Sequence, residues 1–137
     1  MNDRYLFRAK RIDNGEWIVG DLSHHKTGKV FVKPLNSSAI STCDVDKDTI
    51  CQCTGLKDKN GNLIWENDIV KATVRQNSLF QSSSYSDFYQ ISYHEKYCYF
   101  YLKKKNNNLL FDGNFSYYLK NIEVIGNIFD NPELMNE

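Results

Sequence analysis

Proline is nearly missing from this chain, with two residues in 137, and neither sign of charge prevails, since 17 Lys and Arg balance 17 Asp and Glu. Electroneutrality speaks against a dedicated duplex-DNA binder, whose affinity rests on phosphate neutralisation by a basic excess. It leaves room for a local basic patch. No apolar run approaches the roughly 18–20 residues that span a bilayer as a helix. The opening Met1-Asn2-Asp3-Arg4-Tyr5-Leu6 lacks the apolar core of a signal peptide. The expectation is therefore a cytoplasmic protein with no membrane partner. The four cysteines, Cys43, Cys51, Cys53 and Cys98, then read as thiols rather than as a disulfide framework. A long amphipathic helix appears nowhere, and no internal repeat is visible.

What is present favours strands. Aromatic residues make up 14% of the chain, including nine Tyr and eight Phe, and such side chains suit a pleated, half-buried surface. A composition 41% hydrophobic and 25% charged is enough to bury a core, and the length predicts one domain. Tyr5, Phe7 and Ala9 alternate with Arg4, Arg8 and Lys10, the period-two pattern of a strand. Asp13-Asn14-Gly15 then turns the chain, and Glu16–Leu22 returns with Trp17 and Val19 on one face. A third strand is expected over Lys29–Lys33, then a connection over Asn36–Thr42, a helical turn at Asp46–Asp48 and a strand at Thr49–Cys53. A second Asn-Gly turn, Asn60-Gly61, precedes Leu63-Ile64-Trp65. The turn Glu66-Asn67-Asp68 leads into a strand at Ile69–Val74.

Gln76–Asp87, rich in Ser and Gln, reads as a loop. Strands follow at Phe88–His94 and Tyr97–Leu102, separated by Glu95-Lys96, with a short one at Leu109–Phe111. Phe115–Lys120 is compatible with a strand or a helical turn. Ile122–Ile125 is a strand with a bulge at Gly126, and Asn131-Pro132-Glu133-Leu134 is a terminal turn.

Motifs for known chemistry fail on spacing. Cys51 and Cys53 with Cys43 and one of His24, His25 or His94 lack the second closely spaced pair that structural zinc draws on, so packed thiols are the better reading. Asp44-Val45-Asp46-Lys47-Asp48 starts like a calcium loop, but Thr49 and Gly55 stand where that loop needs Gly and Glu. Gly15 and Gly20 have the spacing of a phosphate loop, but Asp21-Leu22 follows where Lys and a hydroxyl residue belong. His94 and Cys98, four apart across a turn, give no catalytic constellation. No cofactor or metal is expected.

The strongest remaining signal is Tyr97, Tyr99 and Tyr101 followed by Lys103, Lys104 and Lys105. On a regular strand the three tyrosines share a face and the lysines lie at its end, as in sheets that stack single-stranded nucleic acid beside positive charge. The plainer account is that the tyrosines pack over a core edge, with Cys98, Phe100 and Leu102 as the deeper face, and the lysines solubilise a turn. Apolar residues on both faces also fit a subunit interface.

Three stretches resemble the YopX protein family. They are Thr54–Gly61 with Ile64–Val70, then Ile122–Ile128 with Asn131–Leu134, and an opening of Phe7-Arg8-Ala9, Gly15-Glu16-Trp17 and Gly20-Asp21-Leu22. One departure is Asn67, where the family more often has Gly; Asn tolerates the same left-handed turn. Residues 76–121 match only in general strand character. The resemblance implies a phage or prophage setting, chiefly in Gram-positive bacteria. It transfers no catalytic or ligand residue.

The expectation is a single mainly β domain of short antiparallel strands and hairpins with little helix. It comprises an N-terminal β subregion over 1–45 and an SH3-like barrel over 46–131, with the N-terminal hairpin packed on the barrel. The expected function is a phage accessory protein that binds a host or phage protein without catalysis, in regulation or counter-defence. The alternative is single-stranded nucleic-acid binding through Tyr97, Tyr99, Tyr101, Lys103, Lys104 and Lys105, and self-association is a third kind of contact.

Overall fold

The computed structural model describes residues 3–35, 42–77, 79, 82–104 and 121–136. Among these the chain is mainly β, with ten strands, a few short 3₁₀ turns and no long helix. Among the described residues no helix is long and apolar enough to cross a membrane. Two compact units divide after Gly55, Met1–Gly55 and Leu56–Glu137. The division lies beyond the 45/46 boundary read from the sequence because the strand starting at Cys51 pairs back onto the first one.

In the first unit, β1 (Phe7–Lys10), β2 (Trp17–His24), β3 (Val30–Pro34), β4 (Cys43–Asp44) and β5 (Cys51–Lys57) are hydrogen-bonded in the order β4-β3-β2-β1-β5. The Asn-Gly turn between β1 and β2 closes through Gly15, whose N–H donates to the Arg11 carbonyl at 2.9 Å. Gly20 is needed where β2 meets β3, since a Cβ there would collide with the Lys33 carbonyl. Beyond β4 the chain returns to β1. Val45 bridges Arg11, Ile12 N–H donates to Asp44 O at 3.1 Å, and Asp46 N–H donates to Lys10 O at 2.8 Å. Val45 N–H also donates to Val30 O at 3.2 Å. The sheet thereby curls around Ala9, Val30, Val32 and Val45, with Ile18, Leu22 and Ile50 packed beside them. Asp46 caps the 3₁₀ turn Lys47–Thr49 by accepting from Asp48 N–H, where a single turn was expected.

The opening alternation does not extend to Tyr5. Asp3–Tyr5 is a 3₁₀ turn, closed by the Leu6 N–H on the Asp3 carbonyl. Leu6 is buried and Tyr5 exposed, because a turn breaks the two-residue period before β1 begins.

The second unit holds β6 (Leu63–Trp65), β7 (Asp68–Asn77), β8 (Ser82–His94), β9 (Tyr99–Lys103) and β10 (Ile122–Asn127). The last four form an antiparallel sheet in the order β10-β7-β8-β9. Among the described residues this sheet has two ends, and the pairing that would close it as an SH3-like barrel is not among its hydrogen-bonded neighbours. Its core is Ile64, Val70, Ala72, Tyr89, Ile91, Leu102 and Ile122, with Leu56, Phe100 and Val124 against them. Burying each large apolar side chain contributes about 1.5–3 kcal/mol.

Gln76–Asp87, expected as a loop, is largely paired. β7 and β8 match from Ile69↔Gln90 out to Asn77↔Ser82. A hairpin arm is made by backbone pairing, which needs no apolar side chains, so a Ser-rich composition hides it. The Thr73 and Ser86 hydroxyls hydrogen-bond across it at 2.7 Å. The expected elements at Leu109–Phe111 and Phe115–Lys120, and the connection at 36–41, lie outside the described residues.

Two turns knit the second unit together. The Asp58 carboxylate, 6% exposed, accepts from the N–H groups of Asn60, Asn62 and Val124, each at 2.9 Å. Lys59 N–H donates to Ile122 O at 3.0 Å. At the second turn Asn67 has φ +70°. Its N–H donates to Ile91 O at 2.7 Å, its carbonyl accepts from Ile128 N–H at 3.1 Å, and its Oδ1 accepts from Gln90 at 3.0 Å. Next to it Asp68, 1% exposed, accepts from Trp65 N–H at 2.8 Å. β10 bulges between Val124 and Gly126, and any Cβ at Gly126 would meet the Asn131 side chain.

Burial pushes the Asp58 carboxyl up, but hydrogen bonds from Val124, Asn62 and Asn60 outweigh it, so its pKa lies below the ordinary carboxylate value. A carboxylate lowered in the folded state adds stability above its unfolded pKa and loses it as pH falls through the folded value. Asp58→Asn is therefore expected to lower stability at pH 7 by about 1–3 kcal/mol in urea unfolding. Below about pH 4, where the unfolded carboxyl protonates, the gap between wild type and variant should shrink. A gap independent of pH would refute the charge-based account.

Candidate functional site: an aromatic face on the β8–β9 hairpin

The β8–β9 register pairs His94 with Tyr99, Tyr93 with Phe100, Ser92 with Tyr101 and Ile91 with Leu102. Side chains alternate across a strand, so two faces follow. Ile91 and Leu102 are buried, and Phe100 packs on the same core. Ser92, His94, Tyr99, Tyr101 and Lys103 occupy the opposite face and are half-buried. Phe100 and Leu102 face inward as expected, but Cys98, expected beside them, is exposed in the turn before β9, because the strand begins only at Tyr99.

Tyr97 does not lie on the strand. The chain turns through Glu95-Lys96-Tyr97-Cys98, closed by Cys98 N–H on the His94 carbonyl at 2.7 Å. Cys98 takes φ +58° to re-enter β9. Tyr97 is 62% exposed, yet its ring still joins the face. The His94 ring has centroids of Tyr97, Tyr99 and Tyr101 at 4.9, 5.4 and 5.8 Å. It is stacked on Tyr99 at an interplanar angle of 18°. Tyr97 and Tyr99 are stacked at 6.3 Å, and Tyr101 meets Tyr99 edge-on at 6.2 Å. Tyr97 N–H donates to His94 Nδ1 at 3.3 Å, which makes that nitrogen an acceptor. Aromatic pairs of this kind contribute about 0.5–1.5 kcal/mol each beyond area burial, so the array is ordered before any partner arrives.

His94 was weighed from the sequence as a zinc ligand, as a catalytic group and as a surface or satisfied histidine, and not as part of the tyrosine face. A four-residue turn sets it opposite Tyr99 and brings all three tyrosine rings around it. Reading the turn as Glu95-Lys96 alone sets it opposite Tyr97 instead.

Lys103 and Lys104 do not share a face. Lys103 continues the Tyr99–Tyr101 face. Lys104 points to the other side, where Asp87 holds its ammonium and the Tyr89 ring lies 5.6 Å away. The Lys104 hydrogen bond is the main reason the Asp87 carboxyl sits below its ordinary value, ahead of the opposing push of burial. Lys105 lies outside the described residues. Lys96 supplies a cation from the turn, 5.4 Å from the Tyr97 ring centroid.

The Cys98 thiol donates to the Glu95 carbonyl at 3.6 Å and not to His94. Its hydrogen bond with Tyr93, followed by burial, raises the Tyr93 phenol above its ordinary value. Cys51 and Cys53 are buried, and the Cys51 thiol donates to Thr49 O at 3.2 Å. Among the described residues no three His, Cys, Asp or Glu gather as metal ligands.

Only glycine enters the left-handed region without steric cost. Removing a left-handed non-glycine residue relieves about 1–3 kcal/mol, offset by about 0.4–1 kcal/mol for the freedom that glycine adds to the unfolded chain. Cys98→Gly is therefore expected to stabilise the hairpin by about 1 kcal/mol in thermal unfolding, with the aromatic face unchanged in its NMR ring-current shifts. Destabilisation would mean that the thiol contacts outweigh the backbone strain.

A family model described as "YopX protein" matches residues 6–136, and it covers the two keystone turns, the β10 bulge and the aromatic hairpin alike. No curated protein matches the chain. The opening, middle and closing motifs read from the sequence all fall inside the matched span, and the chain belongs to the YopX protein family.

Proposed function

We propose that this chain is a non-enzymatic accessory protein of a phage or prophage, acting in the bacterial cytoplasm by binding a host or phage protein through His94, Tyr97, Tyr99 and Tyr101. The observation that carries this reading is the ring array itself, in which His94 contacts all three tyrosines within 5.8 Å. Tyr is enriched in the buried centres of protein interfaces, and rigid aromatic rings give large contact area at low entropic cost. The phage setting rests on the family resemblance. Regulation of a host process or counter-defence is the use that fits a small protein in that setting.

A second reading, single-stranded nucleic-acid binding, has its own support in Lys96 beside Tyr97 and in Lys103 in line with Tyr99 and Tyr101. Two facts weigh against it. Lys104 is neutralised by Asp87, and the chain carries no net charge, whereas strand binders track the backbone with a positive groove.

Wild-type protein and the Tyr97→Ser, Tyr99→Ser double variant, matched for melting temperature, are to be used as baits in lysate of infected host cells. The expected result is a specific protein retained by wild type and lost by the variant. Self-association through the same face would appear instead as a change in hydrodynamic mass between the two. Absence of any protein that distinguishes them, together with salt-sensitive oligonucleotide binding that weakens on Tyr99→Ala, would replace this reading with the second one.

A further inference from the structure

The first unit has a groove where its sheet curls back on itself, with a volume of about 610 Å³. That falls within the roughly 300–1,000 Å³ of small-molecule sites, and such sites recur at the mouths of curled sheets. Its lining has three chemically distinct parts. The floor is Val30 and Val45, both core residues. One wall carries Ile12, which is 63% exposed and serves no part of that core. The rim is charged.

The rim charges sort by what they already hold. The Arg11 guanidinium grips Asp13 through two hydrogen bonds of 2.9 and 2.6 Å, so its charge is balanced within the protein. Asp46 is turned to the Asp48 N–H at 3.0 Å. Lys29 and Lys47 also line the groove, both exposed, and neither makes an ion pair among the described residues. Lys10 lines the groove as well, with its ammonium 5.4 Å from the Trp17 ring centroid. Asp44 and Asp46 are the rim's two carboxylates, and a backbone hydrogen bond leaves the charge of Asp46 in place. The result is an apolar floor and wall beneath three ammonium groups, Lys10, Lys29 and Lys47, with two opposing acids.

We infer that this groove binds a small anion carrying an apolar body, of the aryl or alkyl phosphate or carboxylate class. The apolar part lies over Val30, Val45 and Ile12, and Lys29 and Lys47 hold the anionic head. Asp44 and Asp46 weaken the site for any anion. This site is independent of the aromatic face on the β8–β9 hairpin.

The test is a titration of the full chain, followed by backbone amide NMR shifts, with phenyl phosphate, inorganic phosphate and benzyl alcohol as separate probes. Phenyl phosphate should shift Ile12, Thr27, Gly28 and Val45 saturably, and the other two probes should bind at least about tenfold more weakly, each lacking half of the match. Lys29→Glu with Lys47→Glu should weaken binding about tenfold or more, and Asp44→Asn should tighten it about twofold to fivefold, as expected for charges near a wet surface. These three positions are on the rim, and unchanged melting curves establish that the variants fold. No saturation by about 10 mM phenyl phosphate, well above the usual range for a small-ligand site, would overturn the inference. So would shifts centred outside the groove, or weaker binding in Asp44→Asn.

Discussion

The carboxylate of Asp58 holds the second unit in register. It is nearly excluded from water and receives three backbone N–H groups, two from its own turn and one from Val124 on the last strand. A buried carboxylate is tolerated only when its oxygens are hydrogen-bonded, and buried amides left without acceptors cost about 1–3 kcal/mol each. The turn and the strand therefore satisfy each other. Val124 lies just before the bulge, where the ladder with β7 slips its register, and Asp58 supplies the acceptor at the edge of that irregularity. Asn67 does the corresponding work just before the same end of β7, joining Ile91 and Ile128 through its own backbone.

This division of labour separates fold from function along the chain. The motifs that carry the family resemblance hold residues with structural duties: Asp58 and Gly61 within Thr54–Gly61, Asn67 and Asp68 within Ile64–Val70, and Gly126 with Asn131 at the close act through hydrogen bonding and left-handed or crowded backbone. The aromatic face comes from the stretch with the weakest motif. It sits on β9, an outer strand of the described sheet, where side chains on one face are released from packing while Phe100 and Leu102 anchor the other.

Legibility in the sequence follows the same line. Both Asn-Gly turns, the 3₁₀ turn after Asp46, the bulge near Gly126 and the mainly β architecture were readable, because turn chemistry and two-residue alternation are local. The left-handed Asn67 was readable for the same reason. Four features were not. The Ser-rich arm is held by backbone pairing, which leaves no mark in side-chain pattern. Tyr5 fell outside β1 because a turn interrupts an alternation that continues on paper. The shape of the aromatic face depends on one left-handed cysteine, a residue type with no turn signature, and it moved Tyr97 into the turn and brought His94 to the centre. Lys104 leaves the lysine run through a long-range partner, Asp87, seventeen residues earlier.

Native-state hydrogen exchange at Val124 addresses the central claim most directly. Its amide protection depends on a side-chain acceptor in a distant turn and not on a strand ladder alone. If Asp58 holds turn and strand as one cooperative element, Val124 should exchange only with the opening of the whole unit, at the same free energy as Val70 and Ile91 in the sheet core. Exchange of Val124 by local fluctuation, far faster than those core amides, would mean that the carboxylate decorates the fold without holding it.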